Sequence, residues 1–214
     1  MERFSDQVWS IEDIRKLACS FAYALTIRTY KHVAMSVAGS ALLLNCAGQS
    51  AYSSKRMPDG KQWTTENLTI ATDGSSCYEN AETNCRRYGR LYTWNAARKG
   101  CQSLGDGWRL PTESEWRQLA KHFGGIREDS DDEGSAAYAA LSEGGAGFNA
   151  LLGGGLIPGE GHYSRLEDHG FYWSSSESSP SDAWFYNFGK GGRSLNRQRE
   201  GDKRMAVSVR CVKD

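Results

Sequence analysis

Residues 107–125 read GWRLPTESEWRQLAKHFGG, and this stretch decides the architecture because it carries the clearest helix signature in the chain. Pro111-Thr112-Glu113-Ser114-Glu115 is a capping box, with Thr112 as N-cap and Glu115 at N3, each side chain placed to satisfy the other's backbone donor. Trp116, Leu119, Ala120 and Phe123 then fall at i, i+3, i+4 and i+7, the apolar face of an amphipathic helix, and Gly124-Gly125 end it. Upstream, Thr93 is placed to cap a shorter helix through WNAARKG, whose Trp94, Ala97 and Cys101 share a face. Farther upstream, Pro58-Asp59-Gly60 makes a tight turn into Lys61-Gln62-Trp63-Thr64, a hairpin strand. Downstream of Gly125 the helical periodicity disappears, and 12 of the 24 glycines lie between Gly144 and Gly192, which predicts long ordered loops pinned by aromatic residues. Strand-like pieces return at Phe171–Trp173, Ala183–Phe188 and Met205–Val212, the last alternating apolar and polar with period two. No internal repeat appears. The expectation is an α+β domain of two helices, a small antiparallel sheet and long ordered loops.

Composition bounds what such a domain can do. Across 214 residues, 26 Lys and Arg balance 26 Asp and Glu, which leaves no basic face to replace phosphate counterions and argues against nucleic acid as a partner. A mean hydropathy of −0.62 with 39% hydrophobic residues excludes a multi-span membrane protein. Seven Trp, 10 Tyr and 24 Gly against 4 Pro describe a loop-rich folded domain rather than a disordered chain.

The first 46 residues read differently from the rest. Val33 to Leu44, VAMSVAGSALLL, is uncharged, too short to span a bilayer and suited to the apolar region of a signal peptide, with Arg28, Lys31 and His32 as its basic preface. It runs into Leu43-Leu44-Asn45-Cys46, which resembles a bacterial lipobox in which the Cys is lipidated, although Asn45 stands where Gly or Ala is usual. Ser10-Ile11-Glu12-Asp13 is placed to cap a helix with Ile11, Ile14, Leu17 or Ala18, Phe21 and Leu25 on one face, an unusual preface for a signal that points to translation starting near Leu25, with an N-terminal helix packed on another element as the alternative. The expected organisation is an extension and signal segment over 1–46, a tether over 47–56 and a folded domain over 57–214. Export to the bacterial cell envelope, with a lipid on Cys46 holding the domain to the membrane, follows from it.

Four cysteines remain after Cys46: Cys77, Cys85, Cys101 and Cys211. Four cysteines in an oxidising compartment allow three pairings. Cys77 and Cys85 are close enough for local closure, and Cys101 on a helix would then clamp Cys211 on the last strand, a long loop contributing about 3–5 kcal/mol. Zinc is the rival, but there is no CxxC spacing and His122, His162 and His169 do not stand at ligand spacing from the cysteines. The acidic run Glu128-Asp129-Ser130-Asp131-Asp132-Glu133 lacks the closing bidentate Glu of a calcium loop, with Ala140 at that place. No P-loop or nucleophile elbow is present. No metal or cofactor is expected. Asn67-Leu68-Thr69 is a glycosylation sequon that a bacterium leaves idle.

Several of these segments together resemble the Fibrobacter succinogenes major paralogous domain. The motifs are Met57 to Leu68 (MPDGKQWTTENL), Asp73-Gly74-Ser75 with Cys77-Tyr78, Tyr88 to Ala97 (YGRLYTWNAA) and Gly107 to Trp116 (GWRLPTESEW). They continue in the same order through Gly147 to Leu151 (GFNAL), Gly170 to Ser175 (GFYWSS) and Ser208 to Val212 (SVRCV). The resemblance implies a C-type-lectin-like fold, often borne on exported lipoproteins. The calcium-ligand motifs of C-type lectins are absent. The variable proteins of diversity-generating retroelements are similar, and their C-terminal hairpin and loops hold a diversified ligand site. Ala183 to Arg204 stands in that region, so the resemblance offers Trp184, Tyr186, Asn187, Arg193, Asn196, Arg197, Gln198 and Arg199 as ligand-binding residues, while strand alternation offers the core as the place of some of the aromatics. Formylglycine-generating enzymes share the Arg109 to Trp116 element, but their chemistry needs a redox-capable Cys pair near the C-terminal end, where this chain has only Cys211. The expectation is therefore a surface-anchored, non-catalytic binding module for a protein or glycan. An enzyme on the formylglycine-generating scaffold and a passive structural envelope lipoprotein are the alternatives.

Overall fold

The computed structural model describes residues 52–105, 107–158 and 162–214. The signal segment, Cys46 and residues 47–51 of the tether lie outside the described residues. Gly60 takes φ +83° and donates its N–H to Met57 O at 2.9 Å, closing the turn read from Pro58-Asp59-Gly60. It folds β1 (Ser54–Arg56) antiparallel onto β2 (Gln62–Thr64), with Lys55 opposite Trp63. The folded part therefore starts inside the stretch expected as tether.

A two-stranded sheet of β3 (Ser75–Ser76) and β4 (Leu91–Tyr92) brackets a 3-10 turn at Tyr78–Asn80 and α1 (Glu82–Tyr88). The seven residues of α1, with two buried positions, are too few to show a helical period in the sequence. α2 (Trp94–Gln102) is the expected short helix and buries Trp94, Ala97 and Cys101. Thr93 occupies its N-cap position without a side-chain cap bond, contrary to expectation; a Cβ at Gly74 would lie 2.7 Å from its hydroxyl, which is packed against that glycine instead.

α3 (Glu113–Lys121) begins with the predicted capping box: Glu115 N–H donates to Thr112 Oγ1 at 3.2 Å, and Thr112 N–H donates to Glu115 Oε2 at 2.8 Å. Beyond it, where the sequence predicts only loops, stands α4 (Ser135–Ser142). Its cap comes from the acidic run, as Asp132 accepts the N–H groups of Gly134 (3.1 Å) and Ala136 (2.8 Å). The helix is hard to see in sequence because SAAYAALS is small and apolar nearly all round. Among the described residues there are thus four α-helices rather than two.

The main sheet has five strands in the order β6-β5-β7-β8-β9: β5 (Gly153–Leu156), β6 (Tyr163–Leu166), β7 (His169–Glu177), β8 (Asp182–Gly189) and β9 (Ser194–Asp202). β7, β8 and β9 form an antiparallel meander, and β5 joins parallel to β7 through Gly154 and Gly170. β5 carries three glycines and so no hydrophobic pattern; a Cβ at Gly154 would sit 2.5 Å from Ser164 O, so only glycine lets β5 and β6 approach. The terminal segment differs from the continuous strand predicted over Met205–Val212. It makes isolated bridges from Ala206, Val207 and Ser208 to three different elements before β10 (Val212–Lys213) pairs with β2. Every residue from Met205 to Val212 is buried, including Ser208 and Arg210, so its alternation marks no solvent face.

Among the described residues two large apolar cores form, beside a small cluster of Tyr78, Leu91 and Ala206. In one, Trp116 packs on Trp63 (5.0 Å between ring centroids), Phe148 (5.6 Å) and Tyr186 (5.3 Å, stacked), with Phe188 and Leu195 from the sheet. In the other, Leu68, Tyr92, Ala97, Trp173, Phe185 and Val209 surround the Cys101–Cys211 disulfide. Cys77 pairs with Cys85, as the sequence spacing suggested.

Candidate functional site

In an antiparallel ladder directly opposed residues point to the same face, so register sorts the candidate residues. One face of the meander carries the rows Gly170–Phe188–Leu195 and Tyr172–Tyr186–Arg197; the other carries Phe171–Asn187–Asn196, Trp173–Phe185–Gln198 and His169–Gly189–Ser194. The residues expected to share one surface are therefore divided between two.

On the first face, Tyr186 is fully buried, stacked on Trp116, with its hydroxyl donating to Glu113 O at 2.8 Å. Burial pushes that hydroxyl's pKa above its ordinary value. Tyr186 has no surface to offer a ligand; of its row only Arg197, opposite it on β9, reaches solvent. The Arg197 guanidinium lies over the Trp184 ring at 4.7 Å and donates Nη1 to Glu113 Oε1 at 2.6 Å. Arg197 Nε is buried without a partner among the described residues. Trp184, Arg197 and Glu113 thus form a half-buried aromatic and charged cluster at the start of α3.

On the second face, His169 lies parallel to Phe171 (5.4 Å, 13°) and its Nδ1 hydrogen-bonds Asn187 Oδ1 at 2.8 Å. Asn196 Nδ2 donates to Ser194 Oγ at 3.0 Å, and Gln198 is exposed. His169, Asn187, Ser194, Asn196 and Gln198, with Asp168, the glycines of the 189–192 turn, Arg127 and Glu128, line a depression of about 580 Å³ that Arg197 of the first face also borders. Asp168, His169 and Ser194 are additions the sequence did not suggest, because nothing short of the register places them beside Asn187 and Asn196.

The two remaining candidates lie apart. Arg193, at φ +44° in the β8–β9 turn, makes a bidentate pair with Glu143 (2.7 and 2.8 Å) just beyond α4. The exposed Arg199 side chain makes no hydrogen bond or ion pair among the described residues, while its backbone carbonyl accepts from Ser178 Oγ.

Elsewhere among the described residues, two further clusters of cysteines and carboxylates have structural partners. Ligand atoms of Cys77, Glu82 and Cys85 lie within 4.8 Å of one another, but the two sulfurs are bonded together and offer no thiolate. In the acidic run, Asp129 pairs with Arg117 (2.7 Å), Glu133 pairs with Arg127 (3.2 Å) and Asp132 caps α4. Burial raises the pKa of Glu115, but hydrogen bonds from Arg109 and Thr112 N–H, with the charges of Arg109 and Lys61, outweigh it and hold the carboxyl at about 2. Among the described residues no helix is long and apolar enough to cross a membrane. No curated protein and no solved structure matches the chain. The model of one family, the Fibrobacter succinogenes major domain, matches residues 45–213.

Proposed function

The chain belongs to the Fibrobacter succinogenes major domain family, and from that premise we propose that it is a non-catalytic, envelope-anchored binding module with a C-type-lectin-like fold, taking a protein or glycan ligand on its β8–β9 hairpin. One observation carries the reading: the hairpin leaves Trp184, Asn196 and Arg197 half-buried and Gln198 and Arg199 exposed, on strands whose Tyr186, Phe188 and Leu195 are locked into one apolar core and whose Phe185 is locked into another. Ligand groups borne on packed strands are held in place before binding and lose little freedom on association. The pairing of the first hairpin with the last strand in the β1-β2-β10 sheet, and the disulfide from α2 to the terminal segment, support the lectin-like description.

Cys211 supports the non-catalytic part: it is fully buried and bonded to Cys101, so its sulfur is not free as a nucleophile or redox partner. Two disulfides support an oxidising compartment and hence export. In the same reading the hairpin is the segment a diversity-generating retroelement would vary. A reverse-transcriptase gene with a template repeat beside this gene is then expected, and a locus without them removes that part.

The test is capture of ligands from a glycan array and an envelope-protein library by the full chain. Trp184→Ala with Arg197→Ala is expected to abolish capture while the thermal melt stays cooperative. Capture unchanged in that folded variant would place the ligand elsewhere.

A further inference from the structure

We infer that the depression on the second face of the meander is a subsite for one ring of a neutral saccharide. The inference rests on the hairpin being a binding surface and names the chemistry of its ligand. Its volume of about 580 Å³ lies in the range of small-ligand sites.

The open hydrogen-bonding capacity decides the ligand class. Asn187 spends its Oδ1 on His169 and leaves Nδ2 as a donor; Asn196 spends Nδ2 on Ser194 and leaves Oδ1 as an acceptor. The two stand directly opposite each other across β8 and β9, and Gln198, two residues along β9 from Asn196, offers both a donor and an acceptor. An anion would call for donors alone and a cation for acceptors alone. Adjacent hydroxyls, each donor and acceptor at once, match a mixed array of carboxamides. The charged residues lining the depression are Arg127, Glu128, Asp168 and Arg197, two of each sign, and all but Glu128 have an ion-pair partner outside it: Arg197 with Glu113 (2.6 Å), Arg127 with Glu133 (3.2 Å) and Asp168 with Arg165 (3.5 Å). The two signs balance, so the lining carries no net charge to select an anion or a cation. Phe171 behind the His169 ring fixes the imidazole, and with it the Asn187 amide.

An extended peptide fits less well. The edge of β9 beside the depression is covered where α4 begins, since a Cβ at Gly134 would lie 2.8 Å from Leu195 O. A strand could not be added there without displacing that contact.

The experiment is saturation-transfer NMR on the full chain with the methyl glycosides of glucose, galactose, mannose, xylose and N-acetylglucosamine, and with glucuronic acid as the charged comparison. At least one neutral glycoside is expected to bind at millimolar concentration and to be weakened tenfold or more by Asn196→Ala. Gln198→Ala, at an exposed position that leaves the fold intact, should weaken it severalfold, while Gln118→Ala on the exposed side of α3 leaves it unchanged. Absence of binding by every neutral glycoside, equal binding of glucuronic acid, or full binding by Asn196→Ala and Gln198→Ala overturns the assignment. If no glycoside binds but the Trp184 and Arg197 variant still loses a captured partner, the saccharide assignment fails and the hairpin reading stands. If capture too is unaffected, both fail.

Discussion

Arg210 is a fully buried guanidinium that forms no ion pair among the described residues. It donates instead to Asn67 Oδ1 (2.8 Å) and to the carbonyls of Thr64 (3.0 Å), Phe148 (2.6 Å) and Asn149 (2.5 Å), and lies over the Phe148 ring at 4.6 Å. Burial lowers its pKa, and the fork of N–H groups compensates by satisfying backbone acceptors that would otherwise be stranded in the core. One side chain thus ties the first hairpin, the loop after α4 and the terminal segment together. Arg210→Met fills similar volume but leaves these oxygens unpaired, so chemical denaturation should show a loss of about 3–5 kcal/mol. A variant within about 0.5 kcal/mol of the parent would mean the acceptors find other partners. The sequence shows Arg210 only as the polar step of an alternating strand. That it faces inward depends on loops 64–67 and 148–149, which local pattern does not encode.

At the scale of elements, α3 is the best-read part of the chain because a capping box is a local device: both partners lie within four residues. Glu115 does more than cap. Arg109 grips it with two bonds of 2.7 Å and Lys61 lies at 3.2 Å, which fastens the helix start to the first hairpin. Its folded pKa of about 2 lies below the ordinary 4.5, so its contribution is complete above about pH 4.5 and is lost as pH falls through 2. The shift corresponds to about 3 kcal/mol. Thermal melts between pH 5 and pH 2.5 should show the parent losing stability steeply and Glu115→Gln, already weakened at pH 5, losing less; equal slopes would exclude this carboxyl as the acid-sensitive group. α1, α4, β5 and β6 are legible only afterwards, being too short, too uniformly small or too glycine-rich to carry a period. The eight candidate residues all lie on one hairpin, but their division between two faces follows from pairing register and from the bulge between Ala183 and Phe185.

For the whole molecule, the two disulfides differ in what they close. Cys101–Cys211 spans 110 residues and joins α2 to the terminal segment, whereas Cys77–Cys85 spans 8. Chain entropy assigns them about 4–5 and about 2–3 kcal/mol. Cys101→Ala with Cys211→Ala should therefore lower the denaturation midpoint more than Cys77→Ala with Cys85→Ala; the reverse order would show that the local loop, not the long closure, limits stability. Mass spectrometry of the protein recovered from cell envelopes joins this to the proposed anchor. A chain beginning at a diacylated Cys46 and lighter by four hydrogens is expected, while an unmodified Cys46 would remove the anchor.

The sequence by itself determined the capping-box helix, the first turn, the pairing partners favoured for the cysteines and the family, because each is written in short-range chemistry or in an ordered set of motifs. Only the tertiary structure decided which side chains share a surface. It buried Tyr186 and Arg210 and gathered His169, Asn187 and Asn196 around one depression, since strand register and close glycine contacts are set by chain segments far apart in sequence.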